Sequence, residues 1–125
     1  MSEAFVDTSM MLTLAFGEPD AAAVRKRLSS FDRLLASPLL EAEFRSACLR
    51  EGVHAESLLL ALTFVHVVRP LSNEIARVLS AGYLRGADCW HVATALYLSP
   101  NPRELTLLTR DEPQRKMAKA LGFRT

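Results

Sequence analysis

Three short, mostly apolar runs, each followed by a longer segment with helical periodicity, restrict this chain to few folds. The runs cover residues 4–6, 33–36 and 105–108, and residues 65–68 fit either a further strand or the end of a helix. Strands that do not alternate polar with apolar residues are typical of a parallel sheet covered on both faces. Their alternation with helices predicts an α/β fold, in which a short, mostly parallel sheet lies between two layers of helices.

Helical segments are predicted between and after these strands, at residues 10–16, 19–28, 37–51, 54–64, 72–84, 87–98 and 113–121. Thr8 and Ser9 offer N-cap oxygens to the first helix, and Ser72 offers one to the fifth. With 125 residues, half of them hydrophobic, the chain is expected to form a single domain over residues 1–125.

Composition excludes several classes of protein. A chain that is 50% hydrophobic and 23% charged is too apolar to be disordered. Cys48 and Cys89 have no zinc-binding spacing and are expected to be small buried side chains in a reducing compartment. The first residues lack a basic segment, and the longest apolar stretch, residues 58–68, is too short to span a bilayer. We therefore expect a cytoplasmic protein that does not contact a membrane.

Two aspartates follow directly on predicted strands. Asp7 ends the run at residues 4–6, and Asp111 comes shortly after the run at residues 105–108. Ligands of parallel α/β sheets bind beyond the carboxyl ends of the strands. Both carboxylates are therefore expected at the edge of the sheet where a ligand binds.

Two further carboxylates lie on helices at inward-facing positions, where a negative charge needs a positive partner. Glu43 shares a helix face with apolar residues, whereas Glu41 precedes Arg45 by four residues and fits an exposed ion pair. Asp88 lies near the start of a helix that is apolar around most of its circumference. A buried, unpaired carboxylate costs several kcal/mol or becomes protonated. Glu43 and Asp88 are therefore expected to face the interior near a positive charge.

Each of these four acids alone has an ordinary explanation as a helix cap, a turn residue or a partner of a buried arginine. Together, Asp7, Glu43, Asp88 and Asp111 predict an acidic pocket whose mutual repulsion requires a counter-charge. A hard divalent cation with oxygen ligands, Mg²⁺ or Mn²⁺, is the simplest candidate.

Four segments around these acids resemble the motifs of PIN domains, in the right order and over nearly the whole chain. They are Phe5-Val6-Asp7-Thr8-Ser9, Leu40-Glu41-Ala42-Glu43-Phe44-Arg45, Ala87-Asp88-Cys89-Trp90-His91-Val92-Ala93-Thr94-Ala95 and Leu107-Leu108-Thr109-Arg110-Asp111. The first and third are the most specific. The compact length is more narrowly similar to the VapC toxins of bacterial type II toxin–antitoxin pairs.

The resemblance implies a PIN-like three-layer α/β/α fold and a Mg²⁺- or Mn²⁺-dependent endoribonuclease. Asp7, Glu43, Asp88 and Asp111 would be the acidic quartet that binds the metal, and Ser9 and Thr109 would be nearby hydroxyls. The fourth motif continues with Glu112, which is a second candidate for the role of Asp111, and Arg110 is a candidate substrate contact. Proteins of this type also dimerise and bind a small antitoxin of the VapB type, so a homodimer and such a partner are implied.

Two other classes remain as alternatives. A phospho-accepting receiver domain has a similar length and an acidic sheet edge, but it requires an acidic pair after the first strand and a lysine after a late strand. Here Thr8 and Ser9 follow Asp7, and Thr109, Arg110 and Asp111 follow the late strand. A catalytically silent PIN-like binding module is the second alternative, against which the intact acids argue.

Several other features have mainly structural interpretations. For His91, a core or interface position is favoured over a partner role for the acidic site. Helical surroundings favour core positions over base stacking for four aromatic residues: Phe16, Phe44, Phe64 and Trp90. A cluster of basic residues beside Asp111 fits either a solvated helix face or a phosphate-contacting patch; it contains Arg110, Arg115, Lys116 and Lys119. The apolar excess at residues 10–16 is expected to leave a surface for a partner.

The net charge of +1 combines two opposed regions. If the four acids form one pocket, that pocket carries −4 and the rest of the chain carries +5. The basic remainder would attract a polyanion, so near-neutrality does not argue against a nucleic-acid substrate.

Overall fold

A computed structural model describes residues 2–125 and contains a four-stranded, fully parallel sheet. The strands are β1 (Glu3–Val6), β2 (Arg33–Ala36), β3 (Leu62–Phe64) and β4 (Thr106–Leu108), in the spatial order β3-β2-β1-β4. At the centre of the sheet, Phe5 of β1 lies opposite Leu35 of β2 and Leu107 of β4. The predicted parallel sheet is confirmed, and β1 and β4 bring their carboxyl ends together.

Six α-helices connect these strands within the described residues. They are α1 (Thr8–Ala15), α2 (Ala21–Ser29), α3 (Leu39–Glu51), α4 (Ser72–Ala81), α5 (Gly86–Leu98) and α6 (Glu112–Leu121). Two short 3-10 helices cover Glu56–Ala61 and Pro102–Glu104. Among residues 2–125, no helix combines the length and the hydrophobicity that crossing a membrane requires.

Alternate strand residues point to two separate apolar cores, as the pleat of a strand requires. Phe5, Leu35 and Leu107 pack into a core with α4, α5 and α6. Ala36 and Leu108 pack on the other face, in a core with α1, α2 and α3. The sheet is therefore the middle layer of a three-layer α/β/α fold, as predicted.

The prediction of a helix over residues 54–64 is wrong. The segment forms the 3-10 helix Glu56–Ala61 and then β3, which pairs with β2. In an unbroken apolar run, periodicity does not distinguish a helix from a strand. Here the pairing of residues 62–64 with β2 determines that they form a strand. Residues 65–68 follow β3 and are not part of it, although the Val65 amide still donates to the Ala36 carbonyl at 2.8 Å.

Two predicted helix caps are also wrong. Asp7, and not Thr8 or Ser9, is the N-cap of α1, and its carboxylate accepts the Ser9 amide. No side chain caps α4, which starts at Ser72 itself and ends at Ala81, before the predicted Leu84. Gly82 follows with φ of 152°, a backbone conformation that favours glycine and breaks the helix.

The apolar residues of α1 are more buried than expected. Met10 and Met11 are buried, and Leu12, Leu14 and Phe16 pack against the same core. The contacts of α1 with α2 and α3 cover Met10 and Met11, whereas Leu12, Leu14 and Phe16 are only half-buried, so the apolar surface expected at residues 10–16 is present in part. Cys48 and Cys89 are free and buried, as expected.

Candidate active site

Asp7 lies at the carboxyl end of β1 and is 5% exposed. One of its oxygens, Oδ2, accepts hydrogen bonds from the Ser9 hydroxyl at 2.6 Å, the Ser9 amide at 3.3 Å and the Thr109 hydroxyl at 2.9 Å. Thr109 follows β4, so the pairing of β1 with β4 delivers this hydroxyl to the carboxylate. Charge-assisted bonds of this kind fix the orientation of the Asp7 carboxylate.

Glu43 projects from α3 towards a buried histidine of α5. The Nε2 atom of His91 lies 2.6 Å from Glu43 Oε1, and the Thr8 hydroxyl donates to the same oxygen at 2.7 Å. The hydrogen bond to His91 lowers the pKa of Glu43, with a smaller lowering by Thr8, against an opposing effect of burial. Glu41 instead forms the exposed ion pair with Arg45, at 2.7 Å, that the spacing predicted.

Asp88, in the first turn of α5, lies in surroundings that destabilise its ionised form. Burial raises its pKa, the charges of Asp7 and Asp111 raise it further, and Arg85 opposes the shift through two bonds of 3.2 and 3.3 Å to Oδ2. The Arg85 side chain is 77% exposed, so its attraction is screened by solvent. Asp88 therefore experiences the negative charge of two other candidate site residues.

Asp111 is the N-cap of α6 and accepts the Gln114 amide on Oδ2 at 3.0 Å. It lines the same pocket as Asp88, together with Arg85 and Pro113. Glu112 does not line this pocket, and its carboxylate pairs with Arg115 at 3.0 Å. In this structure the side chain beside Asp88 is therefore that of Asp111.

The four acids share one feature that the sequence does not reveal. Each is held through a single oxygen: Oδ2 in the three aspartates and Oε1 in Glu43. Among residues 2–125, the second oxygen of each accepts no side-chain or backbone hydrogen bond, and none of these oxygens is a sealed, unpartnered atom. Each of the four carboxylates thus keeps one oxygen without a hydrogen-bond partner among the described residues, and we call it the open oxygen.

The fit of this corner to a divalent cation rests on its donors and its charge. The donors are carboxylate oxygens without thiolates, which suits Mg²⁺ or Mn²⁺. The raised pKa of Asp88 reflects burial beside like charges that Arg85 only partly offsets, so a cation would relieve it. Within residues 2–125, however, no three histidine, cysteine, aspartate or glutamate side chains already stand in a metal-binding arrangement. Binding would therefore require side-chain adjustment.

A basic cleft adjoins the acidic corner. Four cationic side chains line it together with Thr109, and we call it the basic cleft: Arg27, Arg110, Arg115 and Lys119. Arg110 is ion-paired with Asp20, and Arg115 donates to the Thr109 carbonyl at 2.8 Å. Lys119 is exposed and forms no ion pair within the described residues. Lys116, which belongs to the same sequence cluster, does not line the cleft.

Sequence reasoning undervalued two residues of this region. His91 is buried, as expected, but it contacts Glu43 and also lies 4.0 Å from Asp7 Oδ1. Its position one turn after Asp88 was the available signal. Arg85 falls between the two helices predicted at residues 72–84 and 87–98, and its spacing of three residues before Asp88 favours an ion pair. The four discounted aromatic residues do pack against the two cores, as expected.

A three-layer α/β/α fold with acids gathered at the carboxyl edge of its sheet defines a class of α/β proteins with an acidic active-site corner. Comparison with known proteins narrows this class. The family model for the PIN domain matches residues 4–120. Ribonuclease VapC46 of Mycobacterium tuberculosis (strain ATCC 25618 / H37Rv) is 31% identical over 126 aligned positions, which cover 98% of this chain and 95% of that protein. The chain therefore belongs to the PIN domain family and, within it, to the VapC type.

Proposed function

We propose that this protein is a Mg²⁺- or Mn²⁺-dependent endoribonuclease that hydrolyses RNA phosphodiester bonds and acts as the toxin of a VapB-type toxin–antitoxin pair. Membership of the PIN family and the similarity to a protein named as a ribonuclease support the activity. The observation that carries the proposal is the set of four anchored carboxylates, each with one open oxygen, at the edge of the sheet where ligands bind.

In this proposal Asp7, Glu43, Asp88 and Asp111 hold the metal through their open oxygens. When bound, the cation lowers the pKa of water and offsets negative charge on the scissile phosphate. Ser9 and Thr109 fix Asp7, while Thr8 and His91 fix Glu43, through the bonds described above. Such outer partners of metal ligands orient the donor atoms and tune their basicity.

The basic cleft supports RNA as the substrate. It begins at Thr109, whose hydroxyl binds Asp7, so a strand whose phosphate lies at the acids reaches the cleft within a short distance. Arg110 and Lys119 supply charge to its phosphates, whereas Arg115 also braces the turn after β4. In this proposal Glu112 does not share the metal-binding role of Asp111, because its carboxylate forms an ion pair with Arg115.

Partners and location extend the same proposal. An apolar groove between α1, α2 and the first 3-10 helix, lined in part by Leu14, Leu28 and Phe31, offers a surface for an antitoxin segment. We further propose a homodimer in the cytoplasm, folded as one domain over residues 1–125. Co-purification with a co-expressed VapB-type protein and sedimentation of the purified protein test the partner and the dimer respectively.

The activity is tested by two matched substitutions on α3. Glu43→Gln removes a proposed ligand, whereas Glu41→Gln removes an exposed acid two residues away that pairs only with Arg45. Purified wild-type protein is incubated with single-stranded RNA and Mg²⁺ or Mn²⁺, with an EDTA control. Metal-dependent cleavage that survives Glu41→Gln and is lost in a folded Glu43→Gln protein is expected. Equal cleavage by both variants would contradict the ligand assignment.

The same preparation distinguishes the two alternatives. A receiver domain would take up label from acetyl phosphate in a metal-dependent reaction, and it would not cleave RNA. A silent PIN-like module would bind RNA or protein without cleavage under any metal condition. Either result in the wild-type protein would refute the ribonuclease proposal.

A further inference from the structure

Tyr83 is the one aromatic residue that is fully surface-exposed among residues 2–125. Its side chain is 81% exposed, whereas the remaining aromatic residues are buried or partly packed against a core. Two of the partly buried rings, Phe31 and Tyr97, also carry an arginine over one face. A ring of this size that stays in water lacks the stabilising free energy of burial, so we ask what its exposed face contacts when a ligand is bound.

The loop that carries Tyr83 is held in place from both sides. Gly82 ends α4 in a conformation that favours glycine, and Leu84, 5% exposed, is anchored in the core beneath. Arg85 then caps the start of α5, where its carbonyl accepts the Cys89 amide at 2.8 Å. Tyr83 and Arg85 therefore project on either side of a buried anchor, at fixed positions relative to Asp88.

Tyr83 lines the same pocket as two of the four acids. The pocket walls include Tyr83, Arg85 and Pro113, and both Asp88 and Asp111 contribute to it. Most of these neighbours are charged, so the ring does not belong to a purely apolar contact surface. An aromatic face, a guanidinium and a proposed phosphate-cleaving centre thus open onto one space.

We propose that Tyr83 stacks on an unpaired nucleobase of the RNA, next to the phosphate that is cleaved. The inference rests on the proposed ribonuclease function and assigns one nucleotide position of its substrate to a named residue. Nucleobases that are splayed out of a helix stack on exposed aromatic side chains, and every base offers a π-face for this contact. Arg85, on the same loop, also lines this pocket, where its guanidinium can contact the phosphate next to the stacked base.

The test measures binding separately from cleavage. An unstructured, fluorescein-labelled oligoribonucleotide is titrated with Asp7→Asn protein in Mg²⁺, and binding is followed by fluorescence anisotropy. Tyr83→Ala, Tyr83→Phe and Tyr83→Leu are then introduced into that background. Leu60→Ala serves as the matched control, because Leu60 is 87% exposed and lies outside the acidic pocket. Circular dichroism verifies that each variant is folded.

Loss of one stacked base should weaken binding about 5- to 150-fold in Tyr83→Ala, with a similar loss in Tyr83→Leu. Tyr83→Phe and Leu60→Ala should bind within about two-fold of the parent, because the ring is retained or the site untouched. Oligonucleotides with an abasic nucleotide at successive positions should bind the Asp7→Asn protein more weakly at one position only. At that position the missing base should cause no further loss of affinity in the Tyr83→Ala variant.

Four results would overturn the proposal. Unchanged RNA affinity in Tyr83→Ala, while wild type still cleaves RNA, refutes the stacking role and leaves the ribonuclease function intact. A loss in Tyr83→Phe equal to that in Tyr83→Ala assigns the effect to the hydroxyl group and not to the ring. If Tyr83→Ala changes the sedimentation coefficient of the protein but not its RNA affinity, Tyr83 belongs to a protein interface. Absence of both binding and cleavage in the wild-type protein refutes the stacking proposal together with the proposed function.

Discussion

His91 Nε2 lies 2.6 Å from Glu43 Oε1 and joins helices from opposite layers of the molecule. Glu43 belongs to α3, which packs with α1 on one face of the sheet, and His91 belongs to α5, which packs with α4 on the other face. The contact passes beyond the carboxyl edge of the sheet, with Asp7 Oδ1 at 4.0 Å from the same nitrogen. It therefore fixes the position of Glu43, which no strand pairing controls, relative to Asp7 at the end of β1.

Replacing His91 should impair catalysis more than folding. In His91→Ala, Glu43 keeps only the Thr8 bond, and an outer partner of this kind is typically worth about 10- to 100-fold in metal affinity or activity. His91→Gln retains a donor and should recover part of the loss. RNA cleavage rates at several Mn²⁺ concentrations measure the effect. A His91→Ala protein that cleaves RNA at the wild-type rate would rule out a positioning role.

Glu43 and Asp88 should influence the pH dependence of stability in opposite directions. The pKa of Glu43 is lowered from 4.5, so its ionised form stabilises the fold above that pH and the contribution is lost as pH falls through the lowered pKa. The pKa of Asp88 is raised from 3.8, so its contribution is fully present below 3.8 and is lost as pH rises through the raised pKa.

Thermal unfolding in EDTA checks both signs. At pH 7, Glu43→Gln should lower Tm relative to wild type and Asp88→Asn should raise it. The Asp88 difference should shrink as the pH falls through the raised pKa of Asp88, and the Glu43 difference only as it falls through the lowered pKa of Glu43. A destabilised Asp88→Asn protein at pH 7 would mean that the Arg85 ion pair outweighs burial and repulsion.

Removal of Arg85 should strengthen metal binding. The guanidinium occupies Asp88 Oδ2, so a cation at this corner competes with it for the charge of Asp88. Exposed ion pairs are worth about 0.2–1 kcal/mol, which corresponds to an increase of roughly 1.4- to 5-fold in Mn²⁺ affinity for Arg85→Ala. Calorimetric titration with Mn²⁺ provides the measurement. Arg50→Ala, which breaks the distant exposed pair with Glu51, should leave the affinity unchanged.

Lys119 and Lys116 provide a matched pair for the basic cleft. Both are exposed on α6, but only Lys119 lines the cleft. If Lys119 contacts an RNA phosphate, Lys119→Ala should reduce the slope of log affinity against log salt by about 0.7, whereas Lys116→Ala should not. Anisotropy titrations of single-stranded RNA at several salt concentrations measure the slope. Equal slopes in the two variants would exclude the cleft as a phosphate-binding surface.

Local sequence signals were sufficient for most of the fold. The apolar runs around Phe5, Leu35 and Leu107 defined three strands because both faces of a covered parallel strand are apolar. The fourth strand was misplaced because residues 58–68 are apolar almost throughout, and only pairing with β2 selects Leu62–Phe64 as the strand. The cap of α1 was assigned to the wrong residues because several polar residues near that helix start satisfy the same rule, and Ser72 satisfies the rule at α4 without forming a side-chain cap.

For the candidate site, the sequence by itself determined which acids face inward, through strand ends and helix periodicity acting over a few residues. Tertiary structure alone decided which distant side chains hold Asp7 and Glu43. The bonds from Thr109 to Asp7 and from His91 to Glu43 join residues 102 and 48 positions apart. Contacts of such separation depend on strand order and helix packing, and no local pattern encodes them. Asp88 and Asp111, in contrast, are held by Arg85 and by the Gln114 amide, each three residues away, so only the anchoring of Asp7 and Glu43 is the physical result of those distant contacts.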